Sequence, residues 1–352
     1  MLFFRNDYGQ GCTSRILELL AQANEADNPG YGTDQYCQRA RELLASRMPD
    51  HDPVIHFLVG GTIVNLTVLR HILRPYEGVY SPDTGHIAVH ETGSVEATGH
   101  KVITVPNASG KITPAALRKA HSQFQLIFEH MVMPRAVYIS NATELGTVYT
   151  RKELEDLRAI CDEFQLYLIM DGARLGNALE SGVDYDLNDL AGWCDAFTIG
   201  ATKNGALFGE ALVIMNRKLQ PYFRFTEKQS GAMLAKGWLL GLQFIGLFED
   251  DAWFENARHA NELAMTIQNR VKELGYPLLL TSETNQIFVV VTQQEYEYLS
   301  TRVDFEIWEQ WNDDIIVRFV TSWHTTQEEA EYLCVYLEEA RNQDSLPEPE
   351  DD

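Results

Sequence analysis

Two short apolar segments, each leading to a charged residue, constrain the fold of this chain more than any other feature. Residues 166–170 are followed at once by Asp171, and residues 196–200 are followed closely by Lys203. Runs of this length are typical of buried strands, so both charged side chains are expected at the carboxyl ends of strands. Ligands bind at that edge of an open parallel sheet, and the pattern therefore predicts a site that contains Asp171 and Lys203.

A carboxylate and a lysine at one sheet edge suit pyridoxal phosphate. The lysine amine can condense with the aldehyde of this cofactor, and the carboxylate can keep the pyridine nitrogen protonated so that the ring accepts electrons. Each residue also has an ordinary explanation. Asp171 could cap a helix over residues 173–179, and Lys203 could be a solvated loop lysine. The spacing alone leaves these explanations open.

Longer motifs around both residues resemble those of one enzyme family. They read Met-Asp-Gly-Ala-Arg-Leu at residues 170–175, Thr-Lys-Asn-Gly-Ala at 202–206, and Ser-Asn-Ala-Thr-Glu-Leu-Gly-Thr-Val-Tyr-Thr at 140–150. The chain closely resembles the bacterial low-specificity L-threonine aldolases, which are fold-type-I pyridoxal phosphate enzymes of the β-eliminating lyase group. With gaps, the resemblance runs from Phe4 to about Thr325.

The resemblance implies an α/β fold of the fold-type-I transferase kind. A large domain would hold a mostly parallel sheet, and a smaller C-terminal domain would be α+β. The length of 352 residues and the hydrophobic content of 45% suit one large core with a smaller second one. We expect an N-terminal arm (residues 1–32), a cofactor-binding domain (33–250), a small domain (251–342) and an acidic, disordered tail (343–352).

Hydrophobic periodicity predicts one long helix over residues 238–257, which would connect the two domains. From residue 261 the pattern alternates between helix and strand. A helix would end at Leu274, strands would cover residues 286–292 and 315–321, and a last helix would cover residues 326–341. This alternation is the basis for the small α+β domain.

A glycine-rich turn near residue 60 is a candidate phosphate site. Residues 54–59 predict a strand and residues 63–73 a helix, with Gly60, Gly61 and Thr62 between them. Free backbone amides and the helix dipole at such a turn suit a phosphate group, although the residues alone fit a plain turn equally well. The turn resembles the phosphate loop of the family, which implies that Gly60, Gly61 and Thr62 bind the cofactor phosphate.

The resemblance implies further cofactor-binding roles. His86 would stack on the cofactor ring, whereas the residues alone favour a locally satisfied histidine at a helix start. Arg174 and Thr202 adjoin Asp171 and Lys203 in the motifs and are expected to contact the cofactor. Lys236 ends a basic, glycine-bearing stretch that in the family reaches across a dimer toward the neighbour's cofactor.

Asn6, Arg174 and Arg318 are the residues that the resemblance implies for substrate binding. Arg318 lies in a predicted strand, where its guanidinium could hold the substrate carboxylate or pair with a structural acid. Asn6 opens a triplet that departs from the Ser-Asp-Asn of the family, yet its amide can still donate a hydrogen bond. The base for a β-hydroxyl proton could be His86, His130 or an ordered water.

Composition excludes several other classes of protein. With 51 acidic and 28 basic side chains the net charge is −23, which repels nucleic acid and anionic lipid surfaces. No apolar run approaches the roughly 20 residues of a membrane span, and the first residues do not form a signal peptide. The five cysteines contain no CxxC pair, so neither a disulfide framework nor a zinc site is indicated.

We therefore predict a pyridoxal phosphate-dependent aldolase that cleaves β-hydroxy-α-amino acids to glycine and an aldehyde. Threonine, allo-threonine or phenylserine-like compounds would be substrates. A β-eliminating lyase or an aminotransferase is the alternative within the same fold, and a cofactor-binding protein without turnover is a more distant one. We expect a cytoplasmic homodimer or homotetramer that acts on a small amino acid and has no metal, nucleic acid or membrane partner.

Overall fold

The computed structural model describes residues 1–311 and 314–344. Within them the strands are β1 (Leu2–Phe3), β2 (Val54–Leu58), β3 (Glu77–Pro82), β4 (Lys101–Val105), β5 (Met133–Ser140), β6 (Tyr167–Asp171), β7 (Ala196–Gly200), β8 (Glu210–Ile214), β9 (Gln286–Val291), β10 (Val303–Asp304), β11 (Glu306–Trp311) and β12 (Asp314–Val320). The residues predicted for the acidic tail from 345 onward lie outside the described part of the chain.

The α-helices of the same residues alternate with the strands through much of the chain. They are α1 (Ser14–Ala23), α2 (Gln35–Ala45), α3 (Gly61–Ile72), α4 (His86–Val89), α5 (Pro114–Ile127), α6 (Arg151–Glu163), α7 (Leu175–Leu179), α8 (Leu187–Trp193), α9 (Phe223–Gln229), α10 (Trp238–Phe248), α11 (Ala252–Glu273), α12 (Gln293–Ser300) and α13 (Gln327–Asp344).

A seven-stranded sheet forms the centre of the described chain, in the order β2-β8-β7-β6-β5-β3-β4. The pairs β3-β4, β3-β5, β5-β6 and β6-β7 are parallel, and β8 runs antiparallel to both β2 and β7. The prediction of an α/β fold with a mostly parallel sheet is confirmed. Since β8 runs the opposite way, its first residue, Glu210, lies at the sheet edge where the parallel strands end.

Alternate residues of the central strands point to opposite faces of the sheet, and each face packs into its own apolar layer. Val137 and Ile139 of β5 pack into the layer that contains α2, α6 and α10. Ala136 and Tyr138 face the other layer, which contains α3 and α9. Strands buried on both faces read as continuous apolar runs, and this is why residues 166–170 and 196–200 could be recognised in the sequence.

A second sheet, in the order β11-β12-β9, is antiparallel and lies against α11 and α13. Its apolar core also includes Phe4 from the N-terminal segment. Strand β1 pairs in parallel with β10, so the first residues of the chain belong structurally with its last third.

One helix prediction was wrong. The helix expected over residues 238–257 is two helices, because α10 ends at Phe248 and α11 begins at Ala252 after Asp251 adopts a left-handed backbone with φ of 59°. The separate helix expected to end at Leu274 is the continuation of α11. The break falls on the acidic run Glu249-Asp250-Asp251, a local signal that the prediction from periodicity did not use.

Candidate active site

The cleft that contains the predicted residues lies where β5, β6 and β7 end and α3 begins. Its volume is about 330 Å³, within the range of small-molecule sites. The lining side chains and backbone come from Tyr8, Val59, Gly60, Gly61, Thr62, His86, His90, Ser140, Ala142, Glu144, Asp171, Ala173, Arg174, Thr202, Lys203 and Glu210. A contiguous cavity of about 250 Å³ adds Glu306, Trp308 and Arg318.

Asp171 is buried at the end of β6, where three donors hold its carboxylate. Tyr138 Oη and Asn65 Nδ2 donate to Oδ2 at 2.7 and 2.9 Å, and the Ala173 amide donates to Oδ1 at 2.9 Å. Burial would raise the pKa of Asp171, but the nearby His86 and these hydrogen bonds outweigh it and lower the pKa below its ordinary value. Asp171 is therefore a fixed anion, and it does not cap α7, whose N-cap residue is Arg174.

His86 lines the cleft, and Glu91 holds its ring in place through a hydrogen bond. Its Nδ1 lies 2.7 Å from Glu91 Oε1, and the same oxygen accepts from Asn65 Nδ2 at 2.8 Å. Burial would lower the pKa of His86, but Glu91 and Asp171 raise it above the ordinary value. Asn65 thus links the carboxylates of Glu91 and Asp171 in one buried network.

Lys203 lies in the short turn after β7 and is surrounded by charged groups. Burial and the charge of Arg174 lower the pKa of its amine, whereas Asp7 and Asp171 act in the opposite direction. The turn is rigid, since Asn204 Nδ2 donates to the Trp253 carbonyl and Asn256 Nδ2 donates to the Asn204 carbonyl. A lowered pKa favours the neutral amine, which is the form that reacts with an aldehyde.

The turn before α3 leaves room for an anion. A Cβ added at Gly60 or Gly61 would meet no atom within 4 Å, so open space surrounds this backbone. No side chain caps the helix at Gly60. The first residues of this twelve-residue helix line the cleft, where an anion could accept hydrogen bonds from their free amides.

Two arginines face the cleft, and each has an acidic partner. Arg174 donates to both carboxylate oxygens of Asp7, from Nε at 2.7 Å and from an Nη at 3.0 Å. Arg318 on β12 donates to Gln286 Oε1 at 3.1 Å and forms an ion pair with Glu306. Its guanidinium also lies 5.2 Å from the Trp308 ring centre. Because Glu306 is partly exposed, another carboxylate can compete with it for Arg318.

Comparison with known proteins places this geometry in a family. The sequence profile of the beta-eliminating lyases matches residues 4–294. The chain belongs to the beta-eliminating lyase family. Among curated proteins it is 32% identical over 351 residues to the low specificity L-threonine aldolase of Pseudomonas aeruginosa, covering 94% of this chain and 95% of that one. It is equally identical, over 314 residues, to the enzyme of that name from a Pseudomonas species, covering 85% and 87% of the two chains.

Solved structures agree with the sequence relatives. A threonine aldolase from Leishmania major has a TM-score of 0.95 and 42% identity, covering 97% of this chain and 100% of that chain. Aspartate aminotransferase from Thermus thermophilus has a TM-score of 0.70 at 14% identity, covering 97% and 91%, which shows the shared fold alone. This beta-eliminating lyase is thus a fold-type-I, pyridoxal phosphate-dependent enzyme.

The residues of the cleft fit this cofactor. Asp171 is a buried anion of the kind that a pyridinium nitrogen needs, and Lys203 lies in the same cleft. The open backbone at Gly60 and Gly61 matches a phosphate, and His86 supplies a flat ring at the wall between these groups. We propose on this basis that Gly60, Gly61, Thr62 and Thr202 hold the phosphate end.

Three predicted site residues do not line this cleft. Asn6 accepts a hydrogen bond from the Tyr8 amide at 3.1 Å, while its neighbours Asp7 and Tyr8 reach the site instead. His130 is exposed and precedes β5, whose far end reaches the cleft; eight strand residues put about 25 Å between the two edges. Lys236 is exposed and lies outside this chain's cleft, so a role at a neighbouring subunit stays a proposal.

Several residues of the cleft were missed by the sequence prediction. The lining residues among them are Tyr8, His90, Glu144, Glu210, Glu306 and Trp308, and Asp7 joins them through its pair with Arg174. Glu144 stands inside the motif at residues 140–150, so its position after a strand end was a signal that could have been used. Glu306 and Trp308 come from an edge strand that periodicity did not reveal. They reach the site only through the pairing of β11 with β12.

Proposed function

We propose that this protein cleaves β-hydroxy-α-amino acids, such as threonine, allo-threonine or phenylserine, into glycine and an aldehyde with pyridoxal phosphate as cofactor. The observation that supports it most is the arrangement of Asp171, Lys203 and Arg318 around one continuous space. That arrangement occurs in a chain whose relatives with 32% identity are named low specificity L-threonine aldolases.

The chain holds the cofactor through groups at both of its ends. Asp171, an anion fixed by three donors, would pair with the pyridine nitrogen. Lys203 would be the attachment point for the aldehyde carbon, and its lowered pKa favours the reactive amine. When bound, pyridoxal phosphate takes up the electron pair that remains on Cα after a bond to Cα breaks.

Substrate orientation decides which bond breaks. Arg318 lies at the far side of the cavity from the phosphate loop and can bind the substrate carboxylate once Glu306 releases it. Arg174 also faces this space but is held by Asp7 in a bidentate pair. With the carboxylate fixed at Arg318, the substrate would be oriented so that its Cα–Cβ bond is the one that breaks, as aldol cleavage requires.

The products from threonine test this function. We expect glycine and acetaldehyde in equal amounts, with 2-oxobutyrate and ammonia at no more than trace levels. The measurement is product analysis by chromatography after incubation of purified protein with threonine and with phenylserine, and Lys203→Ala protein is the blank. If 2-oxobutyrate is the main product, elimination is the activity and the proposal is wrong.

Two properties of the working protein belong to the same proposal. The five cysteines of the chain are free, as is usual in a reducing compartment, and we infer a cytoplasmic enzyme. None of the helices in the described ranges has the length and apolarity that a bilayer crossing requires.

We also infer a homodimer or homotetramer, because exposed aromatic residues border the 228–236 stretch near α9.

A further inference from the structure

A carboxyl group with one unused oxygen lies at the junction of the two cavities. Glu144 follows β5 in the motif at residues 140–150, and it lines both the cofactor cleft and the space beside Arg318. Its side chain is 8% exposed. Glu144 therefore borders the space that a substrate with its carboxylate at Arg318 would occupy.

The two oxygens of Glu144 have different surroundings. Oε1 accepts hydrogen bonds from the His86 amide at 2.8 Å and from Ser140 Oγ at 2.6 Å. Oε2 is buried and has no hydrogen-bond partner among the residues that the structure describes. Buried carboxylate oxygens are ordinarily paired, so an unpaired one at the wall of a substrate cavity indicates a partner that arrives with the substrate.

The histidines near the cavity are less suited to accept a proton. His86 directs Nδ1 to Glu91, and Glu91 with Asp171 favours its charged form, which has no free lone pair. His90 lies on the exposed rim between His86 and Trp308, at ring distances of 5.6 and 6.0 Å. His130 lies at the opposite edge of the sheet.

The charges around Glu144 agree with a role as a base. Burial raises the pKa of its carboxyl group, and the Asp171 carboxylate adds to this, while the hydrogen bonds from Ser140 and the His86 amide act against it. A base works best when its pKa is near the working pH, and an unperturbed glutamate is too weak for that purpose.

We propose that Glu144 is the base that takes the β-hydroxyl proton of the substrate. The inference rests on the aldol cleavage proposed above. The O–H electrons form the C=O bond of the aldehyde, the Cα–Cβ bond breaks, and its electron pair goes to Cα. The hydroxyl proton passes through Glu144 to solvent, and Cα takes one proton from solvent to complete glycine.

The test compares a substrate that has the hydroxyl with one that lacks it. Glu144→Gln keeps the shape and an oxygen for the donors of Ser140 and His86, but it removes the base. We expect kcat for threonine to fall by about 100-fold or more, as for loss of a general base. Glycine has no hydroxyl, so its dissociation constant, measured by cofactor absorbance, and the exchange of its Cα protons in D₂O should change less than about threefold.

The remaining outcomes are decisive as well. Threonine cleavage by Glu144→Gln at a rate near that of the native protein would overturn the assignment, as would equal loss of glycine exchange and threonine cleavage. Loss of cleavage in His90→Asn with retention in Glu144→Gln would move the role to His90. Unfolding temperatures of both variants check the fold. If native protein neither cleaves threonine nor exchanges glycine protons, the proposed function itself fails.

Discussion

Arg318 is the residue whose substitution tests the orientation of the substrate. It should contribute the ~1.5 to 3 kcal/mol of a hydrogen bond to a charged group, so Arg318→Leu is expected to lower kcat/KM for threonine by roughly 10- to 150-fold. The control is Arg217→Leu, since Arg217 is exposed and forms only a distant surface pair with Asp52. Steady-state kinetics on both variants provide the measurement. Equal kcat/KM for Arg318→Leu and native protein would contradict this role.

Glu210 is a buried acid whose Oε2 has no partner among the described residues. Burial raises its pKa to about 8 from an ordinary value of 4.5, and the charge of Asp171 adds to this while Lys203 partly offsets it. Between these two pH values the native state keeps a proton that the unfolded chain releases, so stability from this group falls as the pH rises.

Replacement of Glu210 by glutamine should remove that pH dependence. As the pH rises from 5 to 8, we expect native protein to lose stability relative to Glu210→Gln, by an amount on the order of a few kcal/mol. Denaturant unfolding of both proteins at pH 5, 6.5 and 8 measures the difference. Two curves that stay parallel across this range would show that Glu210 does not bind the extra proton.

The charged residues that follow the apolar runs of β6 and β7 were predictable, whereas the site residues that the N-terminal segment and β11 supply were not. Asp171 and Lys203 each follow an apolar run, which is a local signal. Asp7 comes from the N-terminal segment and reaches Arg174 across 167 positions of sequence. No periodicity encodes such a contact, because the packing of separate segments creates it.

Gly172 shows how the contact between two strands positions the site. A Cβ at this residue would lie 1.9 Å from the Thr198 carbonyl oxygen of β7. We expect Gly172→Ala to destabilise the protein by about 1 to 3 kcal/mol or more, as overpacking does, and to weaken cofactor binding by displacing Asp171. Thermal unfolding and titration with pyridoxal phosphate measure the two effects.

Gly11→Ala is the matched control for this substitution, since a Cβ there would meet nothing within 4 Å. Equal unfolding temperatures for the two alanine variants would mean that the strand contact tolerates a side chain. The same contact explains why the Asp-Gly-Ala-Arg motif has a glycine at residue 172, because only glycine lets the end of β6 approach β7 so closely.

At the level of whole elements, the sequence predicted the strand bounds well but did not lead us to the break between α10 and α11. Strands β2, β6, β7, β9 and β12 appear within one residue of their predicted ends. The division between α10 and α11 depends on Asp251, which has a left-handed backbone and ends the acidic run Glu249-Asp250-Asp251. Aspartate adopts this conformation more readily than most residues, so the run was a signal that the periodicity of the apolar residues obscured. The edge strand β11 was missed because its sequence, Glu-Ile-Trp-Glu-Gln-Trp, is neither a continuous apolar run nor a strict alternation of apolar and polar residues.

The exposed aromatic surface around α9 indicates how the protein assembles. Tyr222 and Phe225 are 78% and 75% exposed, and Phe225 borders an open apolar depression with Tyr31, Lys228 and Met233. Lys228 lies over the Tyr31 ring at 4.1 Å. Exposed aromatic residues grouped beside a basic stretch are typical of protein interfaces, and symmetric dimers are the commonest assemblies.

We therefore expect a two-fold dimer, or a dimer of dimers, that buries this surface. Phe225→Glu places a charge in the interface and should shift the assembly toward monomers, by at least tenfold in the dissociation constant, in light scattering over a range of concentrations. Leu126→Glu is the control, because Leu126 is 87% exposed near the end of α5. Dissociation by Leu126→Glu alone would locate the interface there, and an active monomer in native protein would refute the assembly altogether.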